Sequence, residues 1–380
     1  MYQDNPFIIE GYVAPKYFCD REDETRLLVE HIANGRNVAL IAKRRLGKSG
    51  LIHNMFAQEG VQQRYNTFFI DIYETKNLNE LVFELGKGIL TQLKPYGRHA
   101  WEAFISVLAS LRHTITFNSE GLPAWSVTIG DIKHPDVTLD EIFLFLNSSD
   151  RPNIVAIDEF QVIADYPEKT VEAALRKRIQ NCHNTRFIYS GSHRHMMSQI
   201  FASPTRPFYN SCALMGLEPI DRQKYLDFAN SHLAANIQSI SEEAFCYLYD
   251  KFDGTTWYIQ YVLNTLYSTP TPSITFGKDD IDRAIGIILQ RNSFVYSSLV
   301  FMLTTKQKQL LYAIAAEKEV QALMAQGFLE RCKMSASTVQ TAVKALLDLD
   351  FVTRTDETNA YVIYDRFFAL WLREKIMNEK

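Results

Sequence analysis

The stretch from Asn37 to Ser49 constrains the fold of this chain more than any other part of the sequence. Asn37 to Ile41 is an apolar run that predicts a short buried strand, and a predicted helix runs from Ser49 to Gln58. Between them, the sequence AKRRLGKS matches the phosphate-binding pattern G-x-x-x-x-G-K-[ST], except that Ala42 replaces the first glycine. Strand, loop and helix together predict an α/β fold with a parallel sheet, built around a polyphosphate site.

Each part of this loop has a chemical role. Glycine lets the backbone N–H groups curl around phosphate, lysine reaches the β and γ oxygens, and the hydroxyl of Ser49 is a ligand for Mg²⁺. Ala42 fits the loop if its φ angle is negative. We therefore expect Lys48 to take part in catalysis as well as binding. The candidate nucleotide-binding residues of the loop are Arg45, Leu46, Gly47, Lys48, Ser49 and Gly50.

A second apolar run, Ile154 to Ile157, ends in two acids, Asp158 and Glu159. A carboxylate at the carboxyl end of a buried parallel strand lies beside the phosphate loop in such folds, where it can hold the same Mg²⁺ as Ser49. We expect Asp158 to be the metal ligand and Glu159 to orient and polarise the attacking water. The alternative is a strand that simply ends in a polar turn.

Three more side chains are candidates for the site. The predicted strand from Thr185 to Ser192 ends in a polar residue, and Ser192 is expected to sense the γ-phosphate. Arg206 precedes the next predicted strand and is the candidate arginine finger for a neighbouring subunit. It could equally be a surface arginine that stabilises the turn. Phe18 lies in the segment that packs against adenine in nucleotide-binding folds, although a core role fits it as well.

Length and composition limit the class of protein. A chain of 380 residues suits two or three domains. Its net charge of −4 gives no global basicity that would indicate nucleic acid. The five cysteines include no C-x-x-C pair, which argues against a disulfide framework or a zinc site and favours reduced thiols in the cytoplasm. No signal peptide or membrane-spanning run of ~18 apolar residues is present.

The pattern of elements predicts three domains. Residues 1–220 form the nucleotide-binding core, in which residues 94–137 are an insertion or lid. Residues 221–300 have helical periodicity and form a helical lid whose last helix is predicted from Asp279 to Arg291. In this lid, the segment from Gly254 to Trp257 is expected to face the base or phosphates. Residues 301–380 read as three helices, a two-stranded wing and a terminal helix, which predicts a winged helix-turn-helix.

The charge of the winged helix bears on its partner. Its third helix carries Lys344 against Asp348, whereas phosphate contacts require several basic side chains. A protein partner or an autoinhibitory role is therefore favoured, and DNA contact stays open. The polar side chains that could read base edges are Ser337, Thr338, Gln340 and Thr341.

The order of these motifs resembles the archaeal-type family of P-loop ATPases, which is close to the AAA+ and STAND ATPases. The resemblance covers nearly the whole chain. It is carried by Tyr17-Phe-Cys-Asp20-Arg21-Glu22, Arg44-Arg45-Leu-Gly47-Lys48-Ser49, Ile157-Asp158-Glu159-Phe-Gln161, Ser190-Gly191-Ser192 and Pro207-Phe-Tyr209, with Tyr364-Asp365-Arg-Phe-Phe in support. It implies ATP and Mg²⁺ as ligands, with Gly47, Lys48 and Ser49 on phosphates and magnesium, Asp158 on magnesium and Glu159 as the catalytic carboxylate.

One departure from the family concerns assembly. Many members carry an arginine shortly after the proline-aromatic-tyrosine run, where this chain has Asn210 and Ser211. Arg206 is the substitute, and an oligomer is the arrangement in which it would act. The leading hypothesis is an ATPase whose nucleotide state controls the winged helix. The alternative is a nucleotide-gated DNA-binding regulator or scaffold with little turnover. The adjacent acids and the winged helix argue against a small-molecule kinase.

Overall fold

The computed structural model of the protein describes residues 5–111, 115–118, 121–269, 274–355 and 358–378. Its contacts divide the chain into two compact units. The α/β unit contains residues 6–228 and 254–258, and the helical unit contains residue 5, residues 229–253 and residues 259–378. The domain boundaries at residues 220 and 300 stay predictions. Within the described ranges, no helix combines the length and apolar character needed to cross a membrane.

A five-stranded parallel sheet organises the α/β unit, as the sequence predicts. Its order is β2-β5-β6-β1-β7, so the strand that precedes the phosphate loop lies between β6 and β7. Two-stranded pairs β3-β4, β8-β9 and β10-β11 lie elsewhere in the chain. The strands are β1 (Val38–Ile41), β2 (Asn66–Asp71), β3 (Thr116–Phe117), β4 (Pro123–Ala124), β5 (Asn153–Asp158), β6 (Thr185–Gly191), β7 (Ala213–Gly216), β8 (Ser239–Ile240), β9 (Thr275–Phe276), β10 (Val352–Arg354) and β11 (Tyr361–Ile363).

Helices complete both units. The α-helices are α1 (Glu22–Ala33), α2 (Lys48–Phe56), α3 (Glu59–Arg64), α4 (Leu78–Leu93), α5 (Arg98–Val107), α6 (Pro135–Ser148), α7 (Val171–Asn181), α8 (Arg194–Ala202), α9 (Arg222–Leu233), α10 (Glu242–Lys251), α11 (Thr256–Ser268), α12 (Lys278–Phe301), α13 (Thr305–Glu317), α14 (Gln326–Cys332), α15 (Ala336–Asp348) and α16 (Arg366–Asn378). A short 3₁₀ helix, Phe160–Asp165, directly follows the acid pair.

The sheet is buried on both faces. All six residues of β5 are buried, and between Asn153 and Asp158 its sequence is continuously apolar rather than alternating. Two separate apolar clusters cover the faces, one around Phe68, Val155 and Phe187 and the other around Leu40 and Ile188. Because the strands are parallel, their carboxyl ends meet at one edge of the sheet, and the loops that follow them share that edge.

In two regions the structure can be compared with detailed predictions from the sequence. In the segment 94–137, the expected hairpin near Gly121 is present as β3 paired antiparallel with β4, although residues 112–114 and 119–120 lie outside the described part. Helix α12 continues to Phe301, well past the predicted end at Arg291. Neither glycine nor proline occurs between Gly286 and the end of the helix, so no residue there interrupts it.

The C-terminal elements form the predicted winged helix. Helices α13, α14 and α15 are followed by the antiparallel pair β10-β11, in which Val352 faces Ile363. Ser335 caps α15 by accepting a hydrogen bond from the Thr338 backbone N–H at 3.3 Å, as expected from its position. Thr304 starts α13 with a capping box.

Candidate nucleotide-binding site

The phosphate loop connects β1 to α2 and has a strained backbone. Gly47 has φ 92°, a conformation that only glycine adopts without strain. Arg45 takes the same left-handed region at φ 68°, whereas Ala42 does not, so the first position of the pattern needs no glycine here. Helix α2 begins at Lys48, so its first free backbone N–H groups and the positive end of its dipole lie at the loop.

Lys48 is folded back against its own loop. The side chain is buried, and Nζ donates hydrogen bonds to the carbonyl oxygens of Ala42 at 3.0 Å and Lys43 at 3.1 Å. Burial lowers the pKa of Lys48 below its ordinary value, while the charges of Glu159 and Asp158 act in the opposite direction. An ammonium group held by carbonyl oxygens beside two acids is positioned to contact an anion at the loop.

Asp158 joins the loop to the sheet. Its Oδ2 accepts a hydrogen bond from Ser49 Oγ at 2.7 Å, and its Oδ1 accepts one from the buried hydroxyl of Ser190 and one from the Glu159 backbone N–H at 3.0 Å. Both oxygens of this carboxylate, which is 7% exposed, are therefore fixed in direction. The structure brings together the two residues that the sequence nominates for Mg²⁺.

The donor set fits Mg²⁺ in one specific way. Carboxylate and hydroxyl oxygens are the hard ligands that Mg²⁺ prefers, and this ion is usually bound by one or two carboxylates together with substrate phosphates and water. Among the described residues, no group of three or more His, Cys, Asp or Glu side chains could hold a metal by itself. Ser49 and Asp158 thus suit a cation that arrives with a polyphosphate.

Glu159 lies at the same edge and is held by two side chains. Its Oε2 accepts hydrogen bonds from Gln161 Nε2 at 2.5 Å and from Ser192 Oγ at 2.7 Å. Burial raises the pKa of Glu159, but these hydrogen bonds and the charges of Lys48 and Arg44 outweigh it, so the pKa lies below its ordinary value. Glu159 also has φ 56°, and such backbone strain is common at functional sites.

Ser192 connects the glutamate to the phosphate loop. Besides donating to Glu159, its Oγ accepts a hydrogen bond from Arg44 Nε at 3.1 Å. The Arg44 guanidinium also lies over the ring of Tyr73, 5.5 Å from its centroid. The predicted sensor therefore bridges a loop residue and the predicted catalytic carboxylate.

Arg45 is bound to the first turn of α11. Its guanidinium lies 4.2 Å from the ring centroid of Trp257 and 4.9 Å from that of Tyr258, and it donates to the Tyr258 hydroxyl. The Trp257 backbone N–H donates to the Arg45 carbonyl oxygen at 3.1 Å. The segment that was expected to face the base or phosphates thus contacts the phosphate loop itself, inside the α/β unit.

Phe18 packs on the start of α2. A Cβ atom at Gly50 would lie 3.0 Å from Phe18 Cε2, so the absence of a side chain at residue 50 lets the ring approach the helix. The Phe18 ring also makes an edge contact with Tyr12, with centroids 5.8 Å apart. Leu46, within the loop, is buried, and contact of Phe18, Leu46 and Gly50 with a nucleotide stays a prediction.

Arg206 has a partner of its own. Its Nη2 forms an ion pair with Glu172 of α7, a carboxylate that is 8% exposed. Burial raises the pKa of Glu172, and the charge of Arg206 opposes this. The structure does not join Arg206 to the hydrogen bonds among Ser49, Asp158 and Glu159, so its role as an arginine finger stays a prediction.

Sequence reasoning missed several residues of this network. Ser190, Arg44 and Gln161 belong to the sequence motifs, but the motifs alone assign them no role in the site. Ser190 could have been found from its position, because it lies two residues before Ser192 on a strand that neighbours β5. Gln161 gave no comparable signal, because it lies in the 3₁₀ helix after β5 and only the turn brings its amide back to Glu159.

Comparison with known proteins gives a consistent picture of the fold. Residues 294–374 match the model of a probable winged helix domain, and no curated protein matches the sequence. Among solved structures, the Walker-type ATPase of Pyrococcus abyssi is similar at TM-score 0.63 and 17% identity, with 97% of this chain and 99% of that chain covered.

Two archaeal proteins from Aeropyrum pernix are also similar. The ORC2 protein, solved in ADPNP-ADP complexes, aligns at TM-score 0.55 and 12% identity over 98% of each chain. The ORC1 protein, solved in complex with DNA, aligns at TM-score 0.54 and 12% identity over 96% of this chain and 95% of that chain. This chain shares the fold of these proteins: a five-stranded parallel sheet with a phosphate loop, followed by helices and a C-terminal winged helix.

Proposed function

We propose that the protein binds ATP together with Mg²⁺ at the phosphate loop and hydrolyses it to ADP and phosphate. Gly47 and the start of α2 receive the phosphates, and Lys48 contacts their β and γ oxygens. Ser49 and Asp158 hold the metal, which when bound neutralises charge on the phosphate oxygens. Glu159 orients and polarises the attacking water, and Ser192 senses the γ-phosphate.

One observation carries this proposal: the hydrogen bond of 2.7 Å between Ser49 Oγ and Asp158 Oδ2. It joins the hydroxyl of the phosphate loop to the carboxylate of a strand 109 positions further along the chain. In a strand that merely ended in a polar turn, nothing would require its first acid, Asp158, to contact the phosphate loop. The ADPNP-ADP complexes named for the similar ORC2 protein support a nucleotide as the ligand.

Glu159 is the group that separates hydrolysis from binding. Its lowered pKa keeps the carboxylate ionised at neutral pH, which is the form that accepts a hydrogen bond from water. Replacing it with glutamine keeps the shape and removes the charge. We expect Glu159→Gln to bind ATP and to lose turnover by about a hundredfold or more. ATP binding measured by calorimetry beside turnover separates the two effects.

A second function is favoured by one feature of the same carboxylate. Because Glu159 Oε2 already accepts two hydrogen bonds, the chain could bind ATP as a switch with little turnover, acting as a nucleotide-gated regulator or scaffold. Turnover below about one per hour, unchanged by Glu159→Gln and accompanied by tight ATP binding, would establish this function. Turnover that is lost in Glu159→Gln would establish the first.

In either function, the nucleotide state of the phosphate loop would control the winged helix. Trp257 and Tyr258, which hold Arg45, are residues two and three of α11, and the rest of that helix belongs to the helical unit. A change at Arg45 on nucleotide binding would therefore act directly on α11. We favour a protein partner for the winged helix, because the charged residues of α15 are limited to Lys344 and Asp348. DNA, the partner named for the ORC1 structure, is the alternative, and retention of the full chain on DNA at low salt tests it.

A further inference from the structure

Helix α12 uses one face of its C-terminal half for packing within the helical unit. Tyr296 and Val300 are buried, and the Tyr296 ring centroid lies 5.3 Å from that of Phe368 on α16. Trp371, also on α16, donates from Nε1 to Ser293 Oγ at 3.1 Å. These contacts are sufficient to attach α12 to α16, so they require no large apolar residue on the other side of the helix.

The opposite side nevertheless carries four large apolar side chains. Phe294 and Phe301 are each 83% exposed, Met302 is 71% exposed and Val295 is 52% exposed. Residues seven apart on an α-helix differ by only ~20° in direction, so the Phe294–Phe301 and Val295–Met302 pairs form two adjacent rows. These four residues, here called the α12 stripe, extend over about 12 Å of the helix.

An apolar stripe of this kind is unusual on a surface. Single exposed apolar residues are normal, but a helix that is apolar on all sides is ordinarily buried. Four large exposed side chains, in two rows about 100° apart around the helix axis, indicate an interaction site. The seven-residue step within each row is one heptad, the repeat with which an amphipathic helix lies along another helix.

The charge around the α12 stripe indicates the charge of the partner that would bind there. No aspartate or glutamate occurs from residue 283 to residue 316, a segment that carries four basic residues: Arg283, Arg291, Lys306 and Lys308. Lys308 Nζ lies 5.6 Å from the Phe301 ring centroid, at the edge of the stripe. Glu374 and Lys375 of α16 line a small pocket with Ser293, on the packed side of α12. The stripe thus has a basic edge.

We propose that the α12 stripe binds an acidic amphipathic helix of another protein. Leucine-like residues of that helix would cover Phe294 and Phe301, and its carboxylates would face Arg291 and Lys308. A second copy of the chain fits less well, because it would bring the same basic residues against one another. Single-stranded nucleic acid fits less well too, because half of the stripe is aliphatic and offers no flat ring for a base.

The experiment uses the full-length chain and a fluorescein-labelled heptad peptide with leucine at a and d and glutamate at e and g. Anisotropy is measured for the wild type, for the double variant Phe294→Ser/Phe301→Ser, and for Ile237→Ser as a matched control. Ile237 lies in the same unit and is 82% exposed, away from the stripe in sequence. We expect micromolar binding that weakens about tenfold or more in the double variant and at high salt, and that Ile237→Ser leaves unchanged.

Specific outcomes would overturn the proposal. These are an absence of binding, equal binding of a peptide with lysine at e and g, or equal loss in Ile237→Ser. Concentration-dependent dimers that the double variant abolishes would assign the stripe to a second copy. Binding of labelled oligothymidine that the double variant abolishes would assign it to nucleic acid. Because all substituted side chains are exposed, circular dichroism should show that each variant is folded.

Discussion

The guanidinium of Arg45 lies 4.2 Å from the ring centroid of Trp257, and the Trp257 backbone N–H donates to the Arg45 carbonyl oxygen at 3.1 Å. The phosphate loop and the first turn of α11 are thus bound through both side chain and backbone. A contact between a cation and an aromatic ring contributes about 0.5–2 kcal/mol. This contribution offsets part of the strain of Arg45 at φ 68°, so a ligand at the loop that draws Arg45 away should be detectable at α11.

The first prediction concerns the fluorescence of Trp257, because the Arg45 guanidinium lies over its indole ring. ATP with Mg²⁺ should change the tryptophan fluorescence of the protein, because the charge next to that ring moves when phosphate occupies the loop. Trp257→Phe should remove the change while ATP still binds. Lys48→Ala should remove both. The chain has four tryptophans, so a signal that persists in Trp257→Phe would place its origin elsewhere and contradict the coupling.

The second prediction concerns the space around Gln161. A Cβ atom at Gly191 would lie 2.4 Å from Gln161 Oε1 and 2.5 Å from Met197 Sδ, so both side chains would have to move. Gly191→Ala should therefore destabilise the protein by about 1–3 kcal/mol and lower ATP turnover, because Gln161 holds Glu159. Gly216→Ala is the matched control, because the same Cβ would meet no atom within 4 Å. Thermal unfolding that is equally affected by both substitutions would refute the packing argument.

The third prediction is a shift in pH dependence. Burial raises the pKa of Glu159, and the hydrogen bonds from Gln161 and Ser192, together with the charges of Lys48 and Arg44, lower it by more. Gln161→Ala removes one of these bonds, so the pKa should rise. In the proposed mechanism Glu159 acts as the ionised group, so activity should be lost as the pH falls through its pKa. The acidic limb of the turnover profile should therefore move to higher pH in Gln161→Ala.

A control distinguishes this effect from general damage. Gln199→Ala removes an exposed glutamine from α8 and should leave the acidic limb where it is in the wild type. An unmoved limb in Gln161→Ala, with turnover merely reduced at every pH, would show that Gln161 does not set the pKa of Glu159.

The sequence predicted which acids lie beside the phosphate loop, but not the side chains that hold them in place. Asp158 and Glu159 could be assigned because a buried apolar run that ends in acids has few other uses beside a phosphate loop. The partners of these acids depend on strand register and on a 3₁₀ turn, which sequence periodicity does not encode. The sequence therefore predicts no role for Gln161 and Ser190, and it predicts that Trp257 faces the nucleotide rather than Arg45.

Local sequence patterns predict some larger features of the structure and miss others. The five strands and the winged helix follow from apolar runs, breaks and caps, which are local properties of the chain. The full length of α12 was not predicted, because Phe294, Phe301 and Met302 are apolar residues on a face that turns out to be exposed. Likewise, the ion pair of Arg206 with Glu172 joins the turn after α8 to helix α7, 34 positions apart in sequence.

The fourth prediction concerns assembly. If Arg206 acts as a finger on a neighbouring subunit, it must leave Glu172, and Arg206→Ala should abolish turnover while ATP binding remains. Arg206→Ala mixed with Glu159→Gln should then regain activity, because one site receives the arginine of one subunit and the glutamate of the other. A mixture as inactive as its components, in a protein that runs as a monomer with ATP, would leave Arg206 as a structural partner of Glu172.

The central claim is that ATP bound at the phosphate loop is hydrolysed by way of Glu159. The most direct test measures Mg²⁺-dependent phosphate release and ATP affinity on the same preparations of wild type and Glu159→Gln. The account predicts release by the wild type, a loss of about a hundredfold or more in the variant, and ATP affinity within a few-fold of the wild type. Equal phosphate release by the two proteins, or release that does not require Mg²⁺, would contradict it.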